Sequence, residues 1–127
     1  MMPLYRIVFC VACFFLASGV ASAQFKRGIS LPDVMTFPAT SGSAPAQRYR
    51  KPAFPDWSKA FAAAPLDALR RAGFDHVRLT VDLGPAISDS GELENLRTAI
   101  AAILRDLERH DLRLLLTLLA PAINGRI

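Results

Sequence analysis

The stretch from Gly73 to Asp82, Gly-Phe-Asp-His-Val-Arg-Leu-Thr-Val-Asp, constrains this chain more than any other. Gly73 suits the left-handed turn that closes a helix. Val77, Leu79 and Val81 then alternate with His76, Arg78, Thr80 and Asp82. A period of two puts the apolar set on one face of a strand and the polar set on the other. Helical patterns flank the strand on both sides. Strands of a parallel sheet covered on both faces are usually apolar throughout. A polar face carrying an arginine and an aspartate therefore needs a reason.

The chain opens with an export signal. Arg6 supplies its positive charge, residues 7–16 form an apolar run, and Ala21-Ser22-Ala23 is a small-residue cleavage site. Residues 1–23 are expected to leave, with cleavage after Ala23, and residues 24–127 to form one partial domain. The apolar run is too short to span a membrane. Cys10 and Cys13 both lie in the signal, so residues 24–127 carry no disulfide framework. A periplasmic or extracellular location follows, with no membrane attachment after cleavage.

Residues 24–127 hold 14 Lys and Arg against 11 Asp and Glu, a net charge of +3. Arg48, Arg50 and Lys51 form the one basic cluster. It is too short and irregular for a nucleic-acid interface, so it reads as a solvated loop. No metal-ligand constellation, phosphate-binding glycine loop or nucleophile–histidine pair is present, and no cofactor is expected.

Three strands are expected. The first runs over residues 25–31 and ends at Pro32. A long irregular stretch follows to about Trp57, with five prolines and the aromatics Phe37, Tyr49, Phe54 and Trp57. Loops of this length are often functional. The aromatics read first as anchors that pin the loop, with Trp57 the best of them for a ligand role. Residues 58–64 read as a short helical turn. Pro65 opens a helix with Leu66, Leu69 and Ala72 buried and Gly73 as its stop. After the second strand, Leu83-Gly84-Pro85 breaks the chain and residues 87–91 form a loop. The next helix buries Leu93, Leu96, Ile100, Ile103, Leu104 and Leu107. Asp89 and Glu92 resemble a capping box, with Ser90 as the other possible cap. This helix ends near His110, whose place at a helix C-terminus is structural. Residues 112–119 form the third strand, ended by Pro121. Consecutive βαβ units make a parallel sheet, so the fold class is α/β.

Arg27-Gly28-Ile29-Ser30-Leu31, the block from Ala72 to Val81, the following helix and the apolar strand Leu114 to Leu119 together resemble the N-terminal third of glycoside hydrolase family 5, the cellulase-type family. The Gly-Phe-Asp-His-Val-Arg-Leu block is the most specific part. The resemblance implies the β-α-β-α-β opening of a (β/α)8 TIM barrel, which takes roughly 250 residues and carries its reaction site at the C-terminal ends of the strands. It implies an exported O-glycosyl hydrolase that cleaves a β-linked polysaccharide with retention, using two glutamates about 5–5.5 Å apart. In the family both glutamates lie on later strands, so this chain alone is expected to be inactive. Glu92, Glu94 and Glu108 belong to the amphipathic helix.

One site residue carries over. Arg78 matches the family's strand-two arginine, which supports the nucleophilic carboxylate by charge-assisted hydrogen bonds. Leu119 falls where the family commonly has a sugar-lining histidine, a departure from the pattern. Thr117 and Asp82 fall near the mouth without an assigned role, and His76 lies at the stability end. A second reading is a non-catalytic secreted carbohydrate-binding or self-assembling module. A third is another barrel hydrolase with the same opening strands.

Overall fold

The computed structural model describes residues 25–120. The signal segment and the Pro121 strand stop lie outside the described residues. Strand β1 spans Gly28–Met35, and a two-residue hairpin follows, β2 at Thr40–Ser41 and β3 at Arg48–Tyr49. Helices α1 (Trp57–Ala62) and α2 (Leu66–Arg71) lead into β4 (His76–Asp82). Helices α3 (Gly84–Ser88) and α4 (Ser90–Arg109) lead into β5 (Arg113–Leu119). The main sheet is β1-β4-β5, parallel throughout. The α/β class and the parallel three-stranded sheet are as expected from the alternation of helical and strand patterns. Among the described residues no helix is long and apolar enough to cross a membrane.

Both helix-to-strand turns use the same device. After α2, Gly73 has φ +86, its N–H bonds to Arg70 O, and Phe74 N–H bonds to Leu69 O. After α4, Asp111 has φ +54, its N–H bonds to Glu108 O, and Leu112 N–H bonds to Leu107 O. Each is a Schellman turn that satisfies the last helical carbonyls and aims the next residues into a strand. Glycine adopts this conformation freely, and aspartate is among the few other residues that tolerate it.

The core lies on one face of the sheet. Val77, Leu79 and Val81 of β4 are at most 1% exposed. They pack with Leu96, Ala99, Ile103 and Leu107 of α4 and with Phe61, Leu66 and Leu69 of the shorter helices. The helical spacing of α4 is borne out at Leu96, Ile103 and Leu107. Leu93 and Leu104, expected in the same stripe, are exposed. They sit on a flank turned away from α1, and no described element covers that flank. Ala72 is exposed too, because α2 ends at Arg71 and Ala72 is already its cap. Pro65 sits one position earlier than expected, as the N-cap of α2.

Three further expectations are corrected. Pro32 does not end β1, which begins at Gly28 and continues to Met35 through a register break between Leu31 and Met35. An edge strand has an outward side where the missing proline N–H costs nothing. Asp33, at φ +68, turns the chain there and lets Val34 and Met35 enter the core. Residues 84–88 form the helical turn α3, with Pro85 near its start, where an N–H is not needed. The capping box is half formed. Asp89 Oδ1 accepts from Gly91 N–H at 2.9 Å and Glu92 N–H at 3.1 Å. Glu92 does not reach back; its Oε2 accepts from Ala53 N–H at 2.9 Å, and the residue is 6% exposed. The loop takes the carboxylate that the helix terminus was expected to use.

Candidate functional site

Alternation along the three strands separates two surfaces. Ile29 and Leu31, Val77, Leu79 and Val81, and Leu114 face the helices and join the core. The opposite face carries Gly28 and Ser30 on β1, His76, Arg78 and Thr80 on β4, and Arg113, Leu115 and Thr117 on β5. The register aligns Gly28 with His76 and Arg113, Ser30 with Arg78 and Leu115, and Thr80 with Thr117. Arg78 therefore stands on the central strand, on the face that none of the described helices covers, and it is exposed. Its Nε donates to Thr117 Oγ1 at 3.1 Å. The hydroxyl fixes one side of the guanidinium, and the fork beyond Nε is the part that suits a carboxylate bound through two hydrogen bonds.

The C-terminal ends of the strands gather the other polar groups. Asp82 is 2% exposed, and its Oδ1 accepts from Gly84 N–H at 2.7 Å. Thr36 Oγ1 donates to Thr80 O at 3.2 Å and ties the end of β1 to β4. The β2–β3 hairpin brings Tyr49 over Gly84 so closely that a Cβ there would stand 1.9 Å from the phenol oxygen. Glycine at position 84 is a requirement of this contact. Phe37, next to Thr36, is 74% exposed. Leu119 pairs with Asp82 in the register and is 39% exposed, so an apolar side chain closes this end of β5.

The N-terminal ends of the strands are held differently. Asp75 accepts from Lys26 N–H at 2.8 Å and Arg27 N–H at 3.3 Å, meets His76 Nδ1 at 2.6 Å, and lies 3.6 Å from Arg113. The hydrogen bond with His76 is the main reason its carboxyl falls from 3.8 to about 2; the two backbone N–H groups add to this and desolvation opposes it. The His76 ring meets Phe25 edge-on at 4.7 Å between centroids and lies over Gly28, where a Cβ would stand 2.0 Å from Nε2. The cluster staples residues 25–27 to the sheet, which agrees with a structural role for His76.

The remaining singled-out residues do not join Arg78. His110 caps α4, with Nδ1 2.7 Å from Asp106 O and Nε2 3.5 Å from Asp67, so it links α4 to α2. Glu94 and Glu108 are exposed on α4. Lys51, from the basic cluster, pairs with Asp89 and lowers the pKa of that carboxyl by hydrogen bonding. Phe54 and Trp57 pack against the core as anchors. Trp57 lines a groove of about 680 Å³ with Phe54, Lys51, Glu92 and Asn95, on the helix side of the sheet. Expectation ranked Trp57 first among the aromatics, yet Phe37 and Tyr49 are the ones that reach the strand C-termini. The available signal was position, since Phe37 follows directly on the end of the first strand. Among the described residues no three His, Cys, Asp or Glu side chains group as a metal site. Comparison of the chain with protein-family models, with curated proteins and with solved structures returned no match.

Proposed function

We propose that this chain is the opening β-α-β-α-β portion of an exported retaining glycoside hydrolase of the (β/α)8 barrel class, acting on a β-linked polysaccharide. The observation that carries the reading is Arg78, central on the face of the sheet that the helices leave open. In a closed barrel that face points inward, and residues at the C-terminal ends of the strands line the reaction site. Arg78 then orients and keeps ionised a nucleophilic carboxylate from a later strand, with Thr117 setting the guanidinium plane. Asp82 and Tyr49 shape the mouth through Gly84, and Phe37 offers an exposed ring to a sugar face. Leu119 supplies neither a hydrogen bond nor a charge, so sugar contacts on this side fall to other residues.

The coding sequence beyond Ile127 is the first test. An in-frame continuation with Asn-Glu-Pro after a fourth strand and a later glutamate supports the proposal. The extended protein should then release reducing sugar from soluble β-glucan or mannan, and Arg78→Ala should lower kcat by about 10²–10⁴-fold, as expected for loss of a group acting on the nucleophile. The 127-residue chain itself should release none. Turnover by this chain that survives Arg78→Ala removes the basis of the assignment.

A further inference from the structure

The groove beside Trp57 has the size and the chemistry of a ligand site. It runs between the segment that leads into α1 and the first turns of α4. Met35 and Leu96, both buried, form its floor, and the rings of Phe54 and Trp57 line one side. All of its lining lies between positions 35 and 99, so it owes nothing to the open edge of β5. Its volume of about 680 Å³ falls within the roughly 300–1,000 Å³ of small-molecule sites.

The polar groups around it narrow the ligand. Three charged residues line the groove, and each already has a partner. Lys51 pairs with Asp89. Glu92 is buried; its Oε2 accepts from Ala53 N–H at 2.9 Å and its Oε1 from Asn95 Nδ2 at 3.2 Å. No charge is held in reserve for an ionic ligand. The groups left over are neutral: the Trp57 indole N–H, the Thr98 hydroxyl and the Asn95 amide oxygen. None of these atoms has a partner among the described residues. The bond to Glu92 fixes the Asn95 amide and turns its oxygen away from the carboxylate.

We propose that this groove binds a neutral pyranose oligosaccharide. A pyranose ring combines an apolar C–H face with a rim of hydroxyls that both donate and accept. The C–H face suits an aromatic ring whose own edge carries a polar N–H. The hydroxyl rim suits neutral donors and acceptors such as Asn95, Thr98 and the indole N–H. An open groove, rather than an enclosed cavity, admits successive units of a chain. The groove lies on the helix side of the sheet and Arg78 on the other face, so this site holds sugar without reacting with it. The inference therefore does not rest on the glycosidase reading.

Trp57 is the sole tryptophan of the chain, so its emission reports on the groove directly. The exported chain should be titrated with cellohexaose, β-1,4-mannohexaose and maltohexaose to about 10 mM, which detects even millimolar binding. A saturable change in emission is expected with at least one of them. By calorimetry with that sugar, Trp57→Ala and the double variant Asn95→Ala/Thr98→Ala should each raise the dissociation constant at least about tenfold, as for central contact residues. Trp57→Phe, which keeps a ring, should lose less. Asn95 and Thr98 are exposed, so the double variant should keep the parent circular dichroism spectrum. Arg78→Ala should leave the affinity unchanged. No saturable response to any of the three sugars overturns the proposal. So does tighter binding of hexagalacturonate or choline, which marks a site for ions. Binding that survives both groove variants, or that is lost in Arg78→Ala, places the sugar elsewhere and overturns it as well.

Discussion

Asp75 draws together groups from three parts of the chain: the backbone at residues 26–27, His76 beside it and Arg113 on β5. Its pKa in the folded chain, about 2, lies below the ordinary value of 3.8. A carboxyl whose folded pKa is depressed adds stability above its unfolded pKa and loses it as pH falls through the folded one. The acid limb of a melting curve should therefore steepen between about pH 4 and pH 2. Asp75→Asn should melt lower at pH 7 and flatten that limb, as followed by circular dichroism. Gly84 makes a separate test at the other end of β4. In Gly84→Ala the new Cβ would stand 1.9 Å from Tyr49 Oη, 2.5 Å from its ring carbon and 3.0 Å from Asp82 Oδ1. Tyr49 must swing away, and urea unfolding should show a loss of about 1–3 kcal/mol.

Among the elements, α4 carries the most weight, because it connects β4 to β5 and supplies Leu96, Ala99, Ile103 and Leu107 to the core. Its two leucine sets make a direct comparison. Leu107 is fully buried while Leu104 is 39% exposed. Leu107→Ala should cost about 2–5 kcal/mol in chemical denaturation, whereas Leu104→Ala should cost less than about 1 kcal/mol. The start of the helix depends on Asp89, which accepts from two terminal N–H groups and also pairs with Lys51. Asp89→Ala should lower the midpoint of chemical denaturation, because two helix N–H groups lose their acceptor. Glu92→Ala should cost on the order of 1–3 kcal/mol by a different route, since it leaves Ala53 N–H buried without its acceptor.

For the whole molecule, the sheet is asymmetric. Strand β4 is flanked on both sides, while β5 bonds only to β4 among the described residues. Hydrogen exchange should separate them. Amides of residues 77–81 should be protected to near the global limit, and the outward-pointing amides of β5 should exchange much faster in dilute solution.

Much of this arrangement was legible in the residues themselves. Alternation at 76–82 placed Arg78 opposite Val77, Leu79 and Val81, and Gly73 marked its turn, because strand period and left-handed backbone depend on chemistry within a few residues. The buried centre of α4 followed from spacing for the same reason. Other outcomes depended on partners distant in sequence. Glu92 left the helix cap for Ala53, thirty-nine positions away. Pro32 was absorbed because β1 is an edge, and edge position is a property of the sheet. Leu93 and Leu104 have the spacing of core residues yet stay exposed, because spacing defines a face and only packing decides whether anything covers it.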